Sequence, residues 1–324
     1  VIERREIQVV VAQLFHKQRL MRKVLVSLIP IILCAIYLFG LRVLVLLSFV
    51  ILAAIITEYL ILYSIDGKQT RVSEAVLVTA FLYTLTLPVH IPVWVAVVGV
   101  VFGILFGKGV YGGFGKNIFN PALLGRCFVY ITFPKYMTTG WLVPFSGFPG
   151  GFVHYMPGAD AVSGATPLTA FNRLGVVTAY PQLLLGHISG SLGETCSVLL
   201  LLIAVYLIMS KTASWRIMLA AVVSFILISS CLYITGLPVP PPIFALLTGG
   251  FLFGTVFMAT DPVTAPKQSV LQIVYGSLIG ILTVIIRSFA NFTEGFMFAV
   301  LLANALVPLM ELKLHELRTK RVIS

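Results

Sequence analysis

"GVVFGILFGKGVYGGFGKNIFNPALLGR", residues 99–126, decides what kind of fold this chain can have. It begins as an apolar run suited to lipid, breaks on a series of glycines, and reaches Asn120-Pro121-Ala122. An Asx side chain before proline is a helix-start signal, because the side chain caps free amides and proline suits the first helical position. A second stretch repeats the design: "GGFLFGTVFMATDPVTAPKQ", residues 249–268, runs Gly-rich apolar sequence into Asp261-Pro262-Val263. Interrupted helices at membrane depth are tolerated where the backbone lines a cavity or packs on protein. Matching interruptions in two halves of a chain point to repeats of inverted topology with a functional site between them. Either step alone is an ordinary helix start; the pair raises a built site to equal standing.

The composition agrees with a membrane setting. Of 324 residues, 59% are hydrophobic and 10% charged, against about 25% charged in a soluble domain. Too few polar residues remain to clothe a globule, so the chain is expected to be an all-α polytopic membrane protein. About ten apolar segments are long enough to serve as spans or half-spans: 24–40, 43–63, 73–88, 91–107, 117–134, 193–210, 215–235, 242–259, 268–287 and 294–311. Five precede the long loop 135–192 and five follow it, the odd number per half that inversion requires. Segment 178–190, broken by Gly186, His187 and Gly190, stays in the loop.

Basic residues set the expected sidedness. With a cytoplasmic N-terminus, 17 Lys and Arg fall inside and 4 outside (Arg42, Lys135, Arg173 and Arg287), a strong bias by the positive-inside rule. Loop 135–192 is then extracytoplasmic. The net charge of +11 reports these loops and contact with anionic lipid, not nucleic acid. Residues 1–23, with Lys17, Arg19, Arg22 and Lys23, suit an amphipathic cytoplasmic helix rather than a signal peptide; 24–311 form the membrane domain and 312–324 a basic cytoplasmic tail.

Within the spans, Arg126 sits one helical turn past Asn120, where an uncompensated charge costs about 3 kcal/mol or more. It is expected to face protein or a polar cavity, with Asp261 one candidate partner, and Asn120, Arg126 and Asp261 form a candidate midplane site. Glu58 and Arg287, near span ends, read as side chains reaching the interface. The four cysteines, Cys34, Cys127, Cys196 and Cys231, show no C-x-x-C spacing and read as small buried hydrophobes. His187 has no partner at ligand spacing, so no metal site is expected.

The outer loop is too long for a mere connection. Its aromatics, among them Trp141, Phe145, Phe148, Phe152 and Tyr155, suit headgroup anchoring, and a planar cofactor stacked on one or two would leave the same pattern. It also contains "DAVSGATPLTAFN", residues 160–172. Thr166 can cap a short helix that starts at Pro167 and stops at Gly175. That account leaves Ser163-Gly164-Ala165 unexplained.

The motif Ser163-Gly164-Ala165-Thr166, with "NIFNPALLGR" and "ATDPVTAP", resembles the RnfD/NqrB family along nearly the whole chain. These are membrane subunits of the ion-translocating ferredoxin:NAD oxidoreductase (Rnf) complex and of the sodium-pumping NADH:quinone oxidoreductase. The short N-terminus and "SGATPLTAFN" are more similar to RnfD. The resemblance implies a urea-transporter-like fold of two inverted five-helix repeats. It implies FMN attached to Thr166 by a phosphoester bond through a separate flavin transferase, with electrons carried on the extracytoplasmic side and coupled to Na+ or H+ movement. It also implies RnfA, RnfB, RnfC, RnfE and RnfG as partners in a bacterial inner membrane, and room for a second, non-covalent flavin that no residue here marks.

No strand-to-helix nicotinamide glycine motif and no iron–sulfur cysteine cluster is present, so the chain is expected to be a redox subunit and not a complete enzyme, with no catalytic residue of its own. Two other readings compete. Paired half-helices suit a small-solute channel or transporter without flavin, although Asp-Pro-Val in place of a second Asn-Pro-Ala weakens that likeness. A scaffold would keep Thr166 as a cap only.

Overall fold

The computed structural model describes residues 15–67, 71–157, 164–290, 292 and 294–323. The chain forms two compact units, one of residues 1–117 and 121–163, the other of 118–120 and 164–324. The main division falls in the long loop between the two sets of apolar segments, and each unit holds five of the ten.

In the first unit, β1 (Phe15–His16) leads into α1 (Arg19–Phe39) and α2 (Arg42–Asp66). Then come β2 (Val72–Ser73), α3 (Ala75–Leu85), α4 (Val93–Ile104), α5 (Pro121–Thr132) and α6 (Pro134–Thr138). β1 and β2 pair in parallel over two residues. The described end of the segment expected to be an interfacial helix is therefore extended, and residues 1–14 lie outside the described residues. Arg19, Arg22 and Lys23 stand on the first turns of α1 itself, where Arg22 donates to Glu74 at 2.7 and 2.8 Å.

The glycines of the opening stretch explain how α4 and α5 meet. Gly99, Gly103 and Gly107 recur every fourth residue on one face. A methyl group at Gly103 would strike the Pro121 carbonyl, and one at Gly99 the Tyr83 ring and Val129. Small residues at this spacing let backbones approach closely in lipid, where dispersion rather than water drives association. α4 ends in a π-turn, Leu105–Gly109, closed by the Val110 amide on the Leu105 carbonyl at 2.9 Å.

The first part of the long loop is strapped to the α1–α2 corner. The Leu41 and Arg42 amides donate to the His154 and Tyr155 carbonyls at 2.9 and 2.8 Å, and Gly150 and Gly151 lie where any side chain would collide with Tyr37 or the Ile36 carbonyl. Trp141 is buried, so it packs on protein instead of anchoring to headgroups, whereas Phe148 is 91% exposed. Beside Trp141, burial and then the Arg42 guanidinium hold the His90 imidazole below its ordinary range, outweighing backbone hydrogen bonds at Tyr136 and Thr139.

The second unit contains α7 (Pro167–Leu174), α8 (Tyr180–Leu185), α9 (Ser197–Met209) and α10 (Trp215–Ile234). α11 (Pro242–Leu247), α12 (Phe251–Phe257), α13 (Ser269–Phe289) and α14 (Gly295–Ile323) follow. The eighth apolar segment is the broken one: Thr248 is extended and Gly249 takes φ +65° between α11 and α12. Gly276 and Gly280 seat α13 on the Ile217 and Ala221 carbonyls of α10, a second small-residue crossing. α14 runs on through the stretch expected to be a separate tail, carrying Pro308 inside it.

Among the described residues, Arg19–Phe39, Arg42–Ile65, Trp215–Ile234, Ser269–Phe289 and Gly295–Thr319 are long and apolar enough to cross a membrane. Four shorter apolar helices accompany them. Their outward faces carry exposed Val26, Ile29, Leu33, Leu52, Ile56, Leu227 and Ile273, a surface suited to lipid and not to water. Apart from the two-residue β1–β2 pairing, the regular structure of the described residues is helical, and the chain is a multi-pass membrane protein.

Candidate functional site

Three polar constellations stand out from this apolar body. The first is the loop motif. Thr166 has the extended backbone of an N-cap (φ −61°, ψ 151°), and its Oγ1 accepts from the Thr169 amide at 3.3 Å and lies 2.8 Å from the Thr169 hydroxyl. Pro167 opens α7 as the first helical residue, and Gly175, at φ +68°, closes it by donating to the Phe171 carbonyl at 2.8 Å. Pro167 and Leu168 are buried, and Phe171 packs on Phe244 at 6.1 Å, so the helix is anchored on one face. Ala165 is exposed and Gly164 and Thr166 half-buried; Ser163 lies outside the described residues. The capping geometry expected of Thr166 is therefore present.

The fit to a phosphate ester can be judged on the same atoms. The Oγ1 bond to the Thr169 amide is long, and the small, open neighbours Gly164 and Ala165 leave the hydroxyl approachable. First-turn amides of a helix favour an anion where they point. The residues fit a phosphate attached at Thr166.

The second constellation surrounds the Asx-Pro steps. Asn120 Nδ2 donates to Asp261 Oδ2 at 2.9 Å, and Asn120 is 2% exposed. Two of the three midplane candidates are thus brought together. Arg126 belongs to the other unit, on α5, where it is 3% exposed, away from lipid as the cost of its charge requires. Asn120-Pro121 starts a helix as expected, but Asp261-Pro262 does not. Asp261 Oδ1 caps the Val263 amide at 2.9 Å and the Asp261 carbonyl accepts from Ala265 at 3.0 Å, giving one helical turn. Pro266 then ends it, since it brings no amide hydrogen and biases Ala265 away from helix.

The third constellation is one that sequence reasoning misses. Glu58 is 2% and Lys108 4% exposed, and Lys108 Nζ meets Glu58 Oε2 at 2.7 Å and Ser73 Oγ at 2.7 Å. Ser73 donates its amide and hydroxyl to Glu58 Oε1 at 3.1 and 2.7 Å. Neither residue matches its expected place: Lys108, one of the 17 basic residues counted inside, is no loop cation, and Glu58 does not reach the interface. The 50-residue separation hides the pair, and the π-turn that aims Lys108 inward has no sequence mark beyond its glycines. Arg287 also differs from expectation: it donates to the Ala245 and Thr248 carbonyls at 2.9 and 3.3 Å, answering the broken end of α11 rather than reaching the interface. Among the described residues no group of three His, Cys, Asp or Glu could hold a metal.

Residues 9–319 match the family model described as NQR2, RnfD, RnfE family. The chain belongs to this family. Among its relatives, the D subunit of the ion-translocating oxidoreductase complex of Stutzerimonas stutzeri is 36% identical over 320 residues, covering 90% of this chain and 89% of the relative. The B subunit of the Na(+)-translocating NADH-quinone reductase of Chromohalobacter salexigens is 36% identical over 275 residues, covering 78% and 63%. Its counterpart from Yersinia pestis is 35% identical over 279 residues, covering 81% and 64%. The chain thus spans less than two thirds of the length of these reductase subunits. The resemblance drawn from "SGAT", "NIFNPALLGR" and "ATDPVTAP" is to the family that residues 9–319 match.

Proposed function

We propose that this protein is a membrane subunit of an ion-translocating oxidoreductase, carrying electrons through FMN esterified to Thr166 on the extracytoplasmic side. Family membership supports the redox and ion-translocating class. The carrying observation for the attachment point is Thr166 itself, half-buried behind the exposed Ala165 with its hydroxyl at the N-terminus of an anchored helix. A phosphoester there would set the flavin phosphate against the first-turn amides of α7. The flavin would supply reversible one- and two-electron transfer. The chain's part is to hold it: Leu168 and Phe171 root α7 in the second unit, so the attachment point keeps its place.

We assign the chain to the Rnf type, because the Stutzerimonas relative aligns with 90% of it and the Chromohalobacter reductase subunit with 78%. RnfA, RnfB, RnfC, RnfE and RnfG would then be its partners and a flavin transferase its maturation enzyme. Both termini would face the cytoplasm of a bacterial inner membrane. The part-buried Asn120–Asp261 pair would form the polar element through which Na+ or H+ movement, or a second flavin, engages the membrane body.

The test is fluorescence on a denaturing gel after co-expression with the transferase. A flavin band at the chain's 35.3 kDa should vanish in Thr166→Val. Thr166→Asn keeps a good N-cap but offers no hydroxyl to esterify. It should leave the fold intact and the band dark. A fluorescent Thr166→Asn protein ends the assignment, and a dark wild type beside an active transferase leaves Thr166 a cap and favours the flavin-free channel.

A further inference from the structure

At the turn joining α9 to α10, a cleft of about 410 Å³ is lined by Lys211, Arg216 and Lys267, with Thr212, Ser214 and Asp261 among its polar neighbours. Three cations face one carboxylate, and that carboxylate is already engaged by the Val263 amide and the Asn120 side chain. The cleft is electropositive. Ser214, the N-cap of α10, gives its hydroxyl to Gln272 at 2.8 Å and makes no side-chain cap, so the first amides of α10 remain oriented toward the cleft end. Lys211 sits at φ +56°, a backbone region that favours Gly or Asn, yet the position carries a long cationic side chain.

A second hollow begins where the first ends. A groove of about 340 Å³ shares Trp215 and Arg216 with the cleft and continues along α10 and α13. Its wall is Trp215, Leu219, Val223 and Leu227, spaced every fourth residue on one face of α10, opposite Ile273 of α13. All five side chains are exposed. From Trp215 to Leu227 the helix rises about 18 Å, slightly more than half of a hydrocarbon core of about 30 Å. The groove therefore has the length of one leaflet. Arg216 lies over the Trp215 ring at 5.2 Å, at the joint between the charged and the apolar part.

We propose that this face of the second unit binds one anionic phospholipid, its phosphate in the Lys211–Arg216–Lys267 cleft and an acyl chain in the α10–α13 groove. The charge pattern chooses the head group. A neutral isoprenoid quinone would fill the groove but would leave the cleft's excess of positive charge, three cations against one carboxylate, unanswered. An acidic protein segment would answer the cations but has no use for an apolar groove a leaflet long. A free phosphate shares the head-group chemistry alone, which the groove distinguishes.

The experiment takes the full chain, extracted in mild detergent with the subunits it assembles with, and measures retained lipid by intact-assembly mass spectrometry and lipid extraction. The wild type should retain phosphatidylglycerol or cardiolipin in preference to phosphatidylethanolamine. The triple variant Lys211→Gln, Arg216→Gln, Lys267→Gln should lose about a hundredfold of that preference, given the strength of basic side chains near anionic head groups. Val223→Trp, which fills the groove and leaves every cation in place, should displace the lipid as well. Millimolar inorganic phosphate should not. Retention of anionic lipid by both variants overturns the proposal. So does recovery of a quinone or of zwitterionic lipid in its place, or displacement by phosphate with no effect of Val223→Trp. Flavin attachment at Thr166 is read separately on a gel, so neither result decides the other.

Discussion

Glu58 shows how much one residue can carry in a membrane body. Its carboxylate accepts from the Lys108 ammonium and from the Ser73 amide and hydroxyl, and it has almost no exposed surface. Removing one member of a buried ion pair strands the other charge, at a cost of about 3–5 kcal/mol, whereas replacing both by apolar groups of similar volume is close to neutral. Glu58→Gln should therefore lower the midpoint of thermal unfolding sharply, and Glu58→Gln with Lys108→Met should recover most of the loss. Equal loss in both variants would mean the pair is not the source of the effect. Thr166 is the opposite case. Its cap bond to the Thr169 amide is a local matter, legible from Thr-Pro and a Gly eight residues beyond the proline, so the sequence revealed the residue and its helix together.

Among elements, the α10–α13 crossing is set by absence of side chain. Gly280 leaves no room for a Cβ against Ser224 and the Ala221 carbonyl, and Gly276 none against the Ile217 carbonyl. Overpacking a close crossing costs about 1–3 kcal/mol, and more where backbone is the obstacle. Gly280→Val should thus destabilise the second unit and reduce yield of folded protein, while Gly67→Ala, at the end of α2 where nothing lies within 4 Å, should cost far less, its φ of +74° being the main penalty. Fluorescence-detected size-exclusion after a heat step would rank the two; equal profiles would remove the crossing from the account. The broken eighth element belongs at this scale too. Its Gly249-Gly250 marks an interruption in sequence, but the answer of Arg287 to the freed carbonyls spans about 40 residues and no local pattern shows it.

For the whole molecule, the division into two units of five apolar segments was legible because hydropathy and odd helix number are both linear properties. The sidedness drawn from 17 basic residues against 4 is a prediction for the membrane-embedded protein. In intact cells, an impermeant maleimide should label Phe148→Cys, whose position is 91% exposed on the long loop. It should reach Lys211→Cys only after the membrane is opened. The reverse pattern would invert the topology and put Thr166 in the cytoplasm. Two counted cations show the limit of such reading, since Lys108 is buried and paired and Arg287 caps a helix.

By itself the sequence determined the membrane class, the ten apolar segments, the capping of α7 by Thr166, the small-residue spacing of α4 and the family. Each of these depends on neighbours within a few turns, so periodicity and local chemistry express them. Tertiary structure alone decided the Glu58–Lys108–Ser73 cluster, the Asn120–Asp261 bond, and the continuous cleft and groove of the second unit. The polar contacts among them join residues as far as 141 positions apart, and the groove arises between helices. In an apolar medium a polar group must find a partner wherever the packing puts one, and packing is not written in linear spacing.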